Sequence, residues 1–120
     1  MERKKLSQKQ MKFSQDVVSL LLFAMEKGFR FTFGEVMRPK EMQEIYYRDG
    51  RSTTMNSMHV HKLAIDINFF KPDGKTHTLT YLKADLQEIG EFWESLDDKN
   101  EWGGNWEYFL DTPHFQRTKH

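Results

Sequence analysis

The 120-residue chain has the length of one small domain, and its 18 basic and 18 acidic side chains cancel. This balance excludes the broad basic surface with which proteins neutralise a phosphate backbone, so we expect no nucleic-acid partner. The chain has no cysteine, so any bound metal must be coordinated by His, Asp or Glu side chains. We expect a single domain over residues 1–120 that acts as a monomer.

The longest apolar run, residues 17–25, is too short to cross a bilayer, which takes roughly 20 residues. We expect this run in a core helix and predict no membrane insertion. Residues 1–5 are basic, but a polar stretch follows them and no small-residue cleavage site follows the apolar run. We therefore expect synthesis in the cytoplasm without a signal peptide.

In chain order, the first predicted elements are a helix and a strand. Apolar residues recur at helical spacing within residues 7–27, and we expect them to form the packing face. These residues are Met11, Val18, Leu21, Leu22 and Met25. Gly28 stands where helices commonly end. Residues 29–33 then alternate between apolar and polar side chains, which predicts a half-buried strand.

Pro39 suits the first turn of a second helix, and the polar segment 51–57 is predicted to form a loop over a site. In the strand predicted over residues 63–70, parity places alternate side chains on opposite faces. The core set is Leu63, Ile65, Ile67 and Phe69. The other face carries Asp66, and the small Ala64 beside it leaves room for a ligand.

A turn at residues 72–74 and a weaker strand over residues 77–81 complete a predicted hairpin. We expect a further helix over residues 84–96 and then a loop over residues 97–105. The glycines of Trp102-Gly103-Gly104 in this loop are attributed to a tight turn.

Two short stretches, residues 57–66 and 111–116, contain the groups best suited to chemistry. Two neutral imidazoles and one carboxylate, with a fourth position left to water, form a catalytic rather than a structural zinc arrangement. A second carboxylate nearby suits a general base. His59 and Asp66 are separated by an odd number of positions, so His59 must come from a loop or from beyond a bulge to share a metal with Asp66.

The second stretch is compact because Pro113 fixes its own backbone torsion and favours an extended residue before it. We expect His114 and Gln116 on one side of a terminal strand, with Phe115 in the core. Asp111 precedes this strand closely enough to reach a water on the metal that His114 binds.

Three motifs of the chain resemble those of one known family. They are Ser-x-His-(six residues)-Asp at residues 57–66, Trp-Gly-Gly-Asn-Trp at residues 102–106 and Asp-Thr-Pro-His-Phe at residues 111–115. It is the D-alanyl-D-alanine carboxypeptidase and L-alanyl-D-glutamate peptidase family of zinc peptidases, which includes phage endolysins. The resemblance covers nearly the whole chain. It implies the α+β hedgehog/DD-peptidase fold, a small antiparallel sheet with helices on one face and a zinc site on the open face.

By position, the resemblance implies that His59, Asp66 and His114 bind Zn²⁺ and that Asp111 is the general base. Arg38 precedes a stretch that resembles the family's Arg-Ser-x-x-x-Gln. The resemblance implies that its guanidinium stabilises the oxyanion or binds a substrate carboxylate, and a permanently charged, forked donor suits either role.

The remaining site predictions have alternatives. Gln43 and Ser57 contact the substrate or brace their own loops, and Trp106 is a substrate platform, a cleft wall or a core residue. His61 is assigned to the rim of the site. Lys62 stands where many family members have Gly, and this difference bears on the local backbone and on substrate preference.

The leading hypothesis is an L-alanyl-D-glutamate endopeptidase that cleaves peptidoglycan peptide stems, as a phage or prophage endolysin made in the host cytoplasm and active at the cell wall after release. The first alternative is a D-alanyl-D-alanine carboxypeptidase or dipeptidase. The second is a virion-associated protein that binds the wall without cutting it. Zn²⁺ is the expected cofactor of the two enzymatic hypotheses.

Overall fold

A computed structural model describes residues 6–36 and 63–118. Within these ranges the chain forms two helices, five strands and one 3₁₀ turn. The elements are α1 (Leu6–Glu26), β1 (Arg30–Phe33), β2 (Ala64–Asp73), β3 (Thr76–Thr80), α2 (Lys83–Ser95), β4 (Asn100–Trp102), the 3₁₀ turn (Gly103–Asn105) and β5 (His114–Arg117). The predicted α+β class is confirmed.

The five strands form one antiparallel sheet centred on the long strand β2. One edge of β2 pairs with β1. The other edge pairs with β5 along its N-terminal part and with β3 along its C-terminal part, and β4 pairs with the outer edge of β5. This arrangement places Asp66 and His114, one from each predicted site stretch, on neighbouring strands.

Both helices lie on one face of the sheet and bury it. The parity predicted for β2 is confirmed, since its core residues are nearly inaccessible. These residues are Leu63, Ile65, Ile67 and Phe69. The ring of Trp93 on α2 contacts Phe13 on α1 and Phe115 on β5 edge to face, at centroid distances of 5.6 and 5.9 Å. On the opposite face Asp66, Asn68 and Phe70 are partly exposed, whereas Ala64, which was expected to leave room for a ligand, is fully buried.

The packing face predicted for α1 is wrong. Most of the residues expected to pack are 45–64% exposed: Met11, Val18, Leu22 and Met25. The buried stripe is instead Phe13, Leu20 and Ala24, together with the carboxylate of Asp16, which accepts a hydrogen bond from Asn100 at 3.1 Å. Because the helix is apolar on two sides, its spacing alone could not identify the buried one.

Two predicted connections also differ from the structure. Pro72 belongs to β2, where it pairs with His77, and the hairpin turns at Gly74-Lys75, with Gly74 at a φ of 64°. The predicted loop over residues 97–105 contains β4 and the 3₁₀ turn. A three-residue strand is too short to show alternation, and its pairing with β5 decides its conformation.

The predicted second helix and the predicted loop over residues 51–57 lie outside the described residues. Neither α1 nor α2 combines the length and apolar character that a membrane span requires. The described residues therefore position one open sheet face, with Asp66 and His114 on adjacent strands.

Candidate metal centre

The open face of the sheet brings Asp66 and His114 together. They are register partners on β2 and β5, and directly opposed residues of an antiparallel pair project from the same face. Oδ1 of Asp66 lies 3.2 Å from Nδ1 of His114. Asp111, in the segment before β5, places its Oδ2 4.0 Å from the same nitrogen.

Asp66, Asp111 and His114 form a donor set that fits a divalent cation. Each offers one ligand atom, and the three atoms lie within 4.8 Å of one another. In a tetrahedral zinc site with ligand distances near 2.1 Å, donor atoms are about 3.4 Å apart. The 3.2 Å between Nδ1 of His114 and Oδ1 of Asp66 is close to this value, and the 4.0 Å to Oδ2 of Asp111 is longer than two ligands of one tetrahedral ion require. A mixed imidazole and carboxylate set is also the chemistry that zinc accepts.

The orientation of the His114 ring is fixed by Gln116. Oε1 of Gln116 lies 2.7 Å from Nε2 of His114. Since an amide oxygen only accepts, Nε2 donates to Gln116, and Nδ1 is the ring nitrogen that faces the two carboxylates. The sequence placed Gln116 on the correct side of β5 but did not identify this role. The available signal was its position two residues from His114 on one strand.

The two carboxylates make the centre attractive to positive charge. Burial acts to lower the pKa of His114, but the hydrogen bonds to Asp66 and Gln116 and the charges of Asp66 and Asp111 outweigh it. The net effect raises the pKa of His114 above its ordinary value. A metal cation would occupy the same electrostatic environment that favours the imidazolium.

Gly103 allows Asp111 to approach the centre. The amide N–H of Asp111 donates to the carbonyl oxygen of Gly103 at 3.0 Å, and the N–H of His114 donates to that of Asp111 at 3.1 Å. A Cβ on Gly103 would lie 2.2 Å from the carbonyl oxygen of Asp111. Gly103 is therefore required because the backbone of the Asp111 segment approaches it closely, in keeping with the tight loop expected from the sequence.

The two tryptophans of this region have different environments. Trp102 is fully buried in the core, and its Nε1–H donates to the carbonyl oxygen of Thr112 at 2.8 Å. Trp106 lies beside the centre, with its ring centroid 5.0 Å from that of His114 and its Nε1–H donated to Glu101 at 3.4 Å. Trp106 thus forms a wall of the centre, and substrate contact by Trp106 stays a prediction.

The other candidate residues, Arg38, Gln43, Ser57, His59 and His61, lie outside the described residues, and their roles stay predictions.

The sequence comparisons identify the family. A sequence model of the family described as D-alanyl-D-alanine carboxypeptidase matches residues 50–117, more than half of the chain. The chain belongs to this family. The matched segment contains all three donor residues of the candidate metal centre, so the centre lies within the part of the chain that defines the carboxypeptidase family.

Two curated relatives match most of the chain. An L-alanyl-D-glutamate peptidase of Listeria phage A118 is 34% identical over 98 residues, which are 81% of this chain and 34% of the relative. A peptidoglycan L-alanyl-D-glutamate endopeptidase of Bacillus subtilis, CwlK, is 31% identical over 117 residues, 85% of this chain and 69% of that protein. The chain thus spans about a third of the phage relative and about two thirds of the Bacillus one.

A solved structure has the same fold. The L-Ala D-Glu endopeptidase ChiX of Serratia marcescens superposes with a TM-score of 0.68 at 23% identity, covering 93% of this chain and 85% of ChiX. This likeness establishes the shared architecture of sheet and helices.

Proposed function

We propose that this protein is a zinc-dependent peptidase that hydrolyses the L-alanyl-D-glutamate bond in the peptide stems of peptidoglycan. The observation that carries the proposal is the cluster of Asp66, Asp111 and His114 on the open sheet face of a chain that belongs to a peptidase family. The choice of bond is supported by the phage and Bacillus relatives, both of which are L-alanyl-D-glutamate peptidases.

In this proposal His59, Asp66 and His114 would hold the zinc, and Gln116 holds the His114 ring with Nδ1 on the side of Asp66. A zinc ion bound there would supply Lewis-acid chemistry, polarising the substrate carbonyl and lowering the pKa of the attacking water. Arg38 donates hydrogen bonds to the developing oxyanion or to a substrate carboxylate.

Asp111 is the general base because its position differs from that of Asp66. Its side chain is 45% exposed against 28% for Asp66, and it lies 0.8 Å farther from Nδ1 of His114, at 4.0 rather than 3.2 Å. A carboxylate that is more exposed and farther from His114 than Asp66 suits a group that takes a proton from the attacking water and passes it to the leaving amine.

A second candidate is a carboxypeptidase that removes terminal D-alanine. The family description favours it, since it names D-alanyl-D-alanine carboxypeptidase. The two activities share the metal centre and the base, and they differ in whether the cleaved bond lies within the stem or at its end.

The test is mass spectrometry of purified peptidoglycan fragments after incubation with the protein, with a chelated sample in parallel. New amino termini at D-Glu, abolished by the chelator and restored by zinc, are the expected result. Loss of terminal D-Ala would select the carboxypeptidase instead. A protein that binds zinc and cleaves neither bond would overturn both assignments, and wall binding without zinc or cleavage would favour a structural role.

A further inference from the structure

A groove opens directly beside Asp111. It has a volume of about 310 Å³ and lies between the residue that follows β3 and the segment that leads into β5. Its lining residues are Tyr81, Leu110, Asp111, Thr112 and Pro113. This volume is at the lower end of the range for ligand pockets, roughly 300–1,000 Å³. The groove has room for a short part of a peptide, next to the proposed base.

Hydrogen bonds fix the two walls of the groove relative to β2. β5 pairs with β2 up to Asp66 and β3 pairs from Phe69 onward, so the groove lies at the junction between them. There the N–H of Ile67 donates to the carbonyl oxygen of Pro113 at 2.9 Å. The hydroxyl of Thr112 donates to the carbonyl oxygen of Tyr81 at 2.8 Å, which ties one wall to the other.

The phenol of Tyr81 is oriented by a polar chain across the open face. Its hydroxyl donates to Oδ1 of Asn68 at 2.9 Å, and the Asn68 amide in turn donates to Thr32 at 3.4 Å. Asn68 follows Asp66 by two positions on β2, so it projects from the same face roughly 7 Å farther along the strand. Because the hydroxyl donates its proton to Asn68, the phenol oxygen of Tyr81 can only accept a further hydrogen bond.

We propose that Tyr81 is a positioning residue for the substrate, an assignment that rests on the proposed peptidase function. Its phenol oxygen accepts a hydrogen bond from a main-chain N–H of the bound peptide. Leu110 and Pro113 contact a small apolar side chain beside the cleaved bond, such as the methyl group of alanine. Together, the hydrogen bond and the apolar contact place the amide carbonyl beside the water that Asp111 deprotonates. They favour peptides that have a small residue next to the cleaved bond.

The chain offers a matched pair of variants for the test. Tyr81→Phe removes only the hydroxyl and keeps the ring. Tyr108→Phe makes the same change at an exposed residue that does not line the groove. With a stem peptide as substrate, we expect Tyr81→Phe to raise KM about fivefold with kcat nearly unchanged, in line with the loss of one hydrogen bond. Tyr108→Phe should match the unmodified protein.

A set of stem peptides, each N-methylated at one amide, distinguishes positioning from a structural effect. For the unmodified protein, one of these N-methylated peptides should be a poorer substrate than its unmethylated parent. For Tyr81→Phe, the same peptide and its parent should be equally good substrates. If no N-methylated peptide distinguishes the two enzymes, or if Tyr81→Phe has an unchanged KM, the assignment of Tyr81 is wrong while the proposed peptidase stands. If the unmodified protein cleaves no stem peptide, the proposed function fails and the assignment fails with it.

Discussion

Nδ1 of His114 lies 3.2 Å from Oδ1 of Asp66, although 48 residues separate them in the sequence. They meet because β2 and β5 pair in antiparallel register, with Asp66 opposite His114. The helices bury the other face of the same sheet, and on this face the side chains of Asp66 and Asp111 are 28% and 45% exposed while that of His114 is 9% exposed. Pairing across the sheet turns two separate sequence motifs into one donor set.

The first prediction separates the base from the ligands. Asp111→Ala should retain zinc and lose roughly 10³-fold in kcat, because a general base contributes about 10²–10⁴-fold. His114→Ala should lose both zinc and turnover, because it removes one of the proposed imidazole ligands. Metal content by elemental analysis and cleavage of a stem peptide check the pair. An Asp111→Ala protein with a near-normal rate would rule out the assigned mechanism.

Sequence reasoning succeeded where a local period or motif determines the outcome. The parity of β2 correctly predicted that Ile65, Ile67 and Phe69 are buried and that Asp66 lies on the other face, although Ala64 on that face is also buried. The period of α1 failed because Val18 and Leu22 are as apolar as the residues that are buried, and packing into the core shared with α2 and the sheet selects Phe13 and Leu20. A periodic pattern predicts the type of element, whereas its buried side depends on the neighbouring elements.

The second prediction concerns the orientation of His114. Gln116→Leu should weaken zinc binding roughly 10–100-fold, the usual effect of removing the hydrogen-bond partner of a ligating histidine. Gln116→Glu keeps an acceptor near Nε2 and should retain most of the affinity. Competition titration with a zinc chelator measures both constants. Equal affinities of the two variants would show that Gln116 does not act through the His114 ring.

Gln116 and Gly103 illustrate why part of the centre was not predicted. The function of Gln116 depends on a 2.7 Å contact, and that of Gly103 on the approach of the Asp111 carbonyl from eight residues away. Neither residue type indicates such a role from sequence alone, since both roles depend on residues distant in the sequence or on side-chain geometry. Their roles emerge only when the segment before β5 is placed against the 3₁₀ turn.

The third prediction concerns Gly103. Gly103→Ala would place a methyl group 2.2 Å from the carbonyl oxygen of Asp111, so the Asp111 segment must move. We expect a loss of at least tenfold in kcat/KM per folded molecule, since small displacements of a catalytic group are costly. Gly74→Ala is the control. It adds strain at a positive φ in a hairpin with open space around it, and should lower stability by about 1 kcal/mol without changing kcat/KM. Equal kcat/KM values for the two variants would contradict the role of Gly103.

The fourth prediction concerns a buried ion pair behind the centre. Nη1 of Arg117, at the end of β5, lies 2.7 Å from Oδ2 of Asp97, and the two side chains are only 5% and 14% exposed. Asp97→Asn leaves the guanidinium buried without its counter-charge, and we expect a loss of about 3 kcal/mol of stability at pH 7. Glu88→Gln removes the same charge from an exposed pair with Lys27 and should cost less than about 1 kcal/mol. Denaturant unfolding measures both, and equal losses would contradict the difference in burial.

The pH dependence of this pair follows from the pKa of Asp97. Burial acts to raise it, but the contacts with Arg117 and the backbone N–H of Lys99 outweigh burial and lower the pKa of Asp97 from 3.8 to about 2. A carboxyl group with a lowered pKa in the folded state contributes stability that is fully present above the unfolded value of 3.8 and is lost as the pH falls through about 2. The stability difference between the unmodified protein and Asp97→Asn should therefore be constant from pH 7 to pH 5 and shrink between pH 4 and pH 2. A difference that stays constant to pH 2 would show that Asp97 does not titrate in this window, and a difference that shrinks above pH 5 would assign the effect to another group.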